Sequence, residues 1–105
     1  MVILIRQGDI FISQVKDVPE HVRRSPLPHG VLAHGEITGH SHRFETLDNA
    51  TVYVGDAPGE LFAEVSNDNA RIVHDEHDVV ELKPGCYRIW RQREYTPERI
   101  VPVID

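Results

Sequence analysis

The residues that could do chemistry gather in two short stretches. In "HGEITGHSHRFE" (34–45), three of the chain's seven histidines, His34, His40 and His42, fall within nine residues, beside Glu36 and Glu45. In "VHDEHDVVELKPG" (73–85), His74 and His77 stand among four further acids. Imidazole nitrogen ligates Zn, Fe, Ni, Mn and Cu alike and titrates near neutrality. Such a collection therefore reads as a metal site, a proton-sensitive surface or a pair of solvated polar turns.

Spacing sharpens the metal reading. On a strand, His40-x-His42 projects both rings from one face, because strand side chains alternate with period two. Glu45, three residues on, faces the other way unless the chain bends, and Gly39 permits a bend. His74 and His77 would share one side of a helical turn but opposite faces of a strand. Placed in a turn between two strands, both rings come together and complete a site begun by His40 and His42. The expectation is a divalent transition metal (Zn, Fe, Ni, Mn or Cu) on His40 and His42, with His74 or His77 as the third ligand. Three protein ligands leave an open position for water or substrate, and four close the site. Glu36, Asp75 and Glu76 are the nearest carboxylates to orient the rings. If the centre is catalytic, the metal activates water or polarises a bound carbonyl, with Glu45 or Glu36 as the acid–base group. His34, in "HGE", would add a ligand or a hydrogen bond, whereas His21 and His29 read as surface and loop residues.

A second kind of chemistry lies in "RQREYTPER" (91–99). Arg91 and Arg93 share one face of an extended strand, and their planar donor forks would orient a small anionic substrate. A ladder of cross-strand ion pairs accounts for the same residues. Cys86 reads as a buried structural thiol rather than a nucleophile, with nothing local to lower its pKa. Walker and G-x-G-x-x-G loops are absent, and no serine or threonine sits in a nucleophile elbow.

Strands must hold these groups, because alternation is common in the chain and helical periodicity scarce. "DIFISQV" (9–15), "TVYVG" (51–55), "LFAEV" (61–65), "ARIVH" (70–74), "VVEL" (79–82) and "CYRIWRQREY" (86–95) are strand-like, bounded by "GDAPG", "SNDNA", "DEHD" and "KPG" turns. In the last run Cys86, Arg88 and Trp90 fall on one face, Tyr87, Ile89 and Arg91 on the other. "IVPVI" (100–104) is confined to an edge or a bulge by Pro102. One helix of a turn or two is expected at "VPEHVRR" (18–24), with Asp17 as cap and Pro19 near its start. "TPER" (96–99) supports at most one turn. The expected fold is all-β: a single domain, 1–105, forming a small barrel or sandwich of about eight short strands.

Composition narrows the function classes. A chain of 105 residues, 40% hydrophobic and 27% charged, suits one packed core. A formal charge of −6 argues against nonspecific nucleic-acid binding, which needs a basic surface. No run approaches the ~20 apolar residues of a membrane span. "MVILIRQGD" lacks the features of a secretory leader, and the single cysteine forms no internal disulfide. The expected setting is the cytoplasm, without nucleic acid or membrane as partner. "NAT" (49–51) reads as a turn rather than a glycosylation site.

The histidine region resembles the first motif of the cupins, small β-barrels with a glycine, an H-x-H pair, a glutamate and a second glycine. Here Gly35, His40, His42, Glu45 and Gly55 stand in that order, although each gap differs from the motif by at least one residue. The second cupin motif sets a histidine after a P-x-G turn; here Pro84-Gly85 are adjacent, and His74 and His77 precede them. The resemblance covers about a fifth of the chain. It implies a barrel and a divalent metal held by His40, His42 and Glu45.

The preferred expectation is thus a cupin-like, divalent-metal-binding β protein, acting on a small anionic ligand if it is an enzyme. Two rivals make different predictions. A non-enzymatic interaction or accessory module, docking through an edge strand, would carry no metal. A pH-responsive assembly would change mass near neutrality without metal. A homodimer that completes the barrel or the site is left open.

Overall fold

The structure is a computed structural model in which residues 4–34 and 41–91 are described. Among them the chain forms nine strands and a single turn of 3-10 helix, so the protein is all-β. The strands are β1 (Leu4–Gln7), β2 (Ile10–Val15), β3 (Val31–His34), β4 (Ser41–Phe44), β5 (Ala50–Val54), β6 (Leu61–Val65), β7 (Ala70–Val73), β8 (Val80–Leu82) and β9 (Gly85–Arg91). They build two antiparallel sheets, one in the order β1-β2-β9-β6-β5 and the other β3-β4-β7-β8. Successive pairs β1–β2, β3–β4, β5–β6 and β7–β8 alternate between the sheets. The last strand, β9, enters the first sheet between β2 and β6.

The two sheets pack face to face around one apolar cluster, which makes the molecule a sandwich. Ile10, Ile12, Val52, Ala63, Tyr87 and Ile89 come from the first sheet, and Leu32, Phe44, Ile72 and Leu82 from the second. Alternation explains the selection: in β9 Tyr87 and Ile89 are buried while Cys86, Arg88 and Trp90 stay half-exposed on the other side. The expected strands within the described residues thus recur with boundaries shifted by a residue or two, and β1, β3 and β4 add to them.

The expected helix over 18–24 shrinks to Val22–Arg24. Asp17 Oδ1 accepts from the neighbouring Val18 N–H at 2.9 Å, in a local turn rather than as a helix cap. Val18 and Val22 are buried with Tyr53 and Phe62 on the outer face of the first sheet, alongside Val15 and a half-exposed Cys86. A short turn suffices because two valines cover that patch, and Pro26 and Pro28 then force the chain to extend.

No helix among the described residues is long and apolar enough to cross a membrane. The sequence-predicted strand over 92–95, the turn at 96–99 and the strand over 100–104 lie outside the described residues.

Candidate functional site

Gln7 closes the tight turn that joins β1 to β2, and Asp9 lies within it. Gln7 pairs with Ile10, leaving Gly8 and Asp9 as the two turn residues. Gly8 takes a positive φ of 58°, the conformation a two-residue hairpin asks of glycine at its first position. The turn is held by Arg6 Nε donating to the Gly8 carbonyl at 2.8 Å. It directs Gln7 and Asp9 from the first sheet onto β4 of the second.

His42 is the residue they meet. It is only 1% exposed, on the same inward face of β4 as Phe44. Its Nδ1 lies 2.9 Å from Gln7 Oε1, and its Nε2 lies 2.9 Å from Asp9 Oδ1. The orientation of the Gln7 amide follows from its other contacts. Gln7 Nε2 donates to the carbonyls of Ile72, at 3.0 Å, and Asp78, at 2.8 Å, so Oε1 must be the atom facing His42. An amide oxygen only accepts, and His42 Nδ1 therefore carries a hydrogen. In a neutral ring, Nε2 then presents a lone pair to a carboxylate oxygen.

That carboxylate is shared. Asp9 Oδ2 accepts from Arg91 Nε at 2.6 Å, at the end of β9. Burial alone would raise the Asp9 pKa, but the hydrogen bond and charge of Arg91, followed by those of His42, bring it below the ordinary carboxylate range. His42 moves down as well: burial is the main cause, the charge of His74 adds to it, and Asp9 opposes both. Hydrogen-bond geometry and burial thus pull the proton on His42 in opposite directions.

The turn between β7 and β8 brings two further rings. The centroids of His74 and His77 lie 4.3 Å and 5.8 Å from that of His42, and 4.6 Å from each other. In a metal complex, imidazoles on adjacent positions of one ion have centroids ~4.5–5.5 Å apart, for a metal–nitrogen distance of ~2.0–2.1 Å. Only the His74–His77 separation, 4.6 Å, falls in that range; His42 lies closer to His74, at 4.3 Å, and farther from His77, at 5.8 Å. His74 Nδ1, moreover, accepts the Glu76 N–H at 3.0 Å, so a neutral His74 carries its hydrogen on Nε2 and donates there. Among the described residues, no three His, Cys, Asp or Glu side chains form a group able to hold a metal ion. What fits a cation is the facing pair of His42 Nε2 and Asp9 Oδ1.

The other sequence-predicted residues divide by position. Glu45 lies past the end of β4, and its carboxylate is 3.6 Å from Arg71 Nη1, which β7 carries on its exposed face. From Arg43 to Glu45 the chain keeps running along β7, the Glu45 N–H donating to the Arg71 carbonyl at 2.8 Å, so Glu45 does not turn inward. Asp75 lies 3.8 Å from Arg43. His21 pairs with Asp56 at the surface, and His29 Nδ1 accepts the Val31 N–H within its own loop. His40, Glu36 and Arg93 lie outside the described residues.

Sequence reading missed Gln7, Gly8 and Asp9. "RQGD" offers a turn signal in its Gly-Asp pair. Nothing in one dimension links it to His42, which stands 35 residues from Gln7 and 33 from Asp9.

A family model described as a domain of unknown function (DUF8820) matches residues 6–92, which span every site residue described above. No curated protein and no solved structure matches the chain.

Proposed function

From the premise that the chain belongs to the family of domains of unknown function DUF8820, we propose on the site's own geometry that it binds a divalent transition metal. The observation that carries this reading is the 2.9 Å approach of His42 Nε2 to Asp9 Oδ1. Gln7 fixes the hydrogen of His42 on Nδ1, so two lone pairs face each other and something positive must lie between them. An amide oxygen on the far nitrogen of a ligating histidine is the support that metal sites use to set ring orientation and tautomer. The described side chains form no three-ligand group as they stand, so His77 would have to move toward the pair to serve as a third ligand, and His40, a further candidate, lies outside the described residues. The identity of the ion stays among Zn, Fe, Ni, Mn and Cu, because imidazole and carboxylate serve them all. Such an ion would supply Lewis acidity toward a bound ligand. The chain's own residues orient the ring, set the carboxylate and exclude water behind His42.

The resemblance to cupins belongs to the same proposal. It is supported by an inward-facing histidine of the H-x-H pair on a short strand of a double-sheet β protein. A cytoplasmic setting accords with a single unpaired cysteine.

A proton is the other positive occupant the pair can take, as in an imidazolium–carboxylate pair, and that is the pH-responsive reading. Elemental analysis separates the two. Tag-free protein dialysed without chelator should carry about one transition metal per chain, and Asp9→Asn and His42→Ala should each lose most of it. Asp9→Asn keeps size and leaves the core untouched, so its loss of metal would not reflect unfolding. A folded wild type that carries no metal, and takes up none of the five ions on titration, would refute the metal reading.

A further inference from the structure

Arg91 has a donor face that the fold does not use. Its Nε is spent on Asp9 Oδ2, but among the described residues none hydrogen-bonds to its two terminal nitrogens. The side chain is 43% exposed and lies one carboxylate away from His42. An end-on guanidinium presents two parallel N–H donors, which match the two oxygens of a carboxylate in one plane.

Charge balance points the same way. With a divalent ion between His42 and Asp9, the groups that touch Asp9 would be the ion and the guanidinium. The single carboxylate leaves them with net positive charge. A small anion beside the arginine would lower that excess. Across the whole molecule the net charge is −6, which disfavours a ligand of high negative charge such as phosphate and favours a singly charged one.

We propose that Arg91 forms the second half of the site and takes the carboxylate of a small carboxylic acid on its two terminal nitrogens, beside the cation. The cation part of this inference rests on the function proposed above, while the part played by Arg91 does not. Asp9 is then the shared wall: one oxygen faces the ion and the other aligns the arginine for the ligand. Metal and carboxylate bind with mutual help, each raising the affinity of the other by the same factor.

The test is an NMR titration of 15N-labelled protein with sodium acetate, in the metal-free form and after zinc loading, with sodium chloride as the control for ionic strength. Acetate should shift the Arg91 side-chain Nε–Hε signal and the backbone amides of Gly8 and Asp9 saturably, and zinc should lower its dissociation constant several-fold. Arg91→Lys keeps the charge and loses the planar fork, and acetate should bind it about tenfold more weakly, as loss of a bidentate charge-assisted contact implies. Acetate shifts no larger than those from chloride, equal binding by Arg91→Lys, or a larger saturable response to phosphate would each overturn the assignment. If zinc fails to load but the Arg91-dependent shift persists, the metal reading falls and Arg91 stands as a carboxylate site without an ion.

Discussion

A methyl group added to Gly8 would stand 2.6 Å from His77 Nε2 and 3.1 Å from His42 Cε1. The turn therefore needs glycine twice, for its positive φ and for the space that two imidazoles occupy. Gly8→Ala is expected to cost about 1–3 kcal/mol, from strain in the left-handed region and the displaced ring. A urea melt reads the stability, and the His77 ring signals should move by NMR while those of His21, at the surface, stay in place. An alanine variant with unchanged midpoint and ring signals would show that the turn and His77 are not in contact. The roles of Gln7 and Asp9 follow from the same closeness. An amide pinned by two carbonyls fixes the tautomer of a buried ring, and a carboxylate with two distinct oxygens joins that ring to an arginine.

At the scale of elements, β9 organises the first sheet. It lies between β2 and β6, its inner face gives Tyr87 and Ile89 to the core, and its last residue, Arg91, reaches the site. The outer face is tied to β6 and its preceding turn through Arg88. Arg88 Nε donates to Glu60 Oε2 at 2.5 Å, and the Arg88 guanidinium lies 4.4 Å from the centre of the Trp90 ring. Burial, the largest single effect, would raise the Glu60 pKa, but the hydrogen bond and charge of Arg88 and the turn N–H groups of Ala57 and Asp56 together outweigh it, and the pKa falls below its ordinary 4.5. A carboxyl group depressed in the folded state stabilises the fold above its unfolded pKa and loses that contribution as pH falls through the folded one. Glu60→Gln should therefore destabilise by about 1 kcal/mol at pH 7, the scale of one charge-assisted hydrogen bond at a partly exposed site. The gap between variant and wild type should narrow as pH drops below 4.5. Parallel urea melts at pH 7 and pH 3 check this, and a gap that widens in acid would reverse the sign.

Over the whole molecule, the two sheets share one core, so a lesion in either should be felt in both. Ile72 is fully buried in the second sheet, and Ile72→Ala should cost about 2–5 kcal/mol through lost burial and the cavity left behind. The single tryptophan, Trp90, lies in the first sheet. Its fluorescence and the far-UV circular dichroism should report one coincident transition, shifted to lower urea with unchanged slope. Two separated transitions would mean that the sheets unfold independently. The site depends on the same cooperation, because Asp9 and Arg91 belong to the first sheet and His42, His74 and His77 to the second sheet and its turn.

Local pattern by itself determined the fold class, the strands with clear alternation and the turn that unites His74 with His77. These depend on neighbours two to four residues apart, and side-chain alternation and turn chemistry act at that range. β1 (LIRQ), β3 (VLAH) and β4 (SHRF) show no clean apolar–polar alternation to read. Only the tertiary structure decided that His42 faces inward, that Glu45 turns to Arg71, and that Gln7, Asp9 and Arg91 are the groups around the buried ring. Those contacts form when two sheets close on a common core. The sequence separation of Asp9 and Arg91, 82 residues, carries no local signal of the 2.6 Å between them.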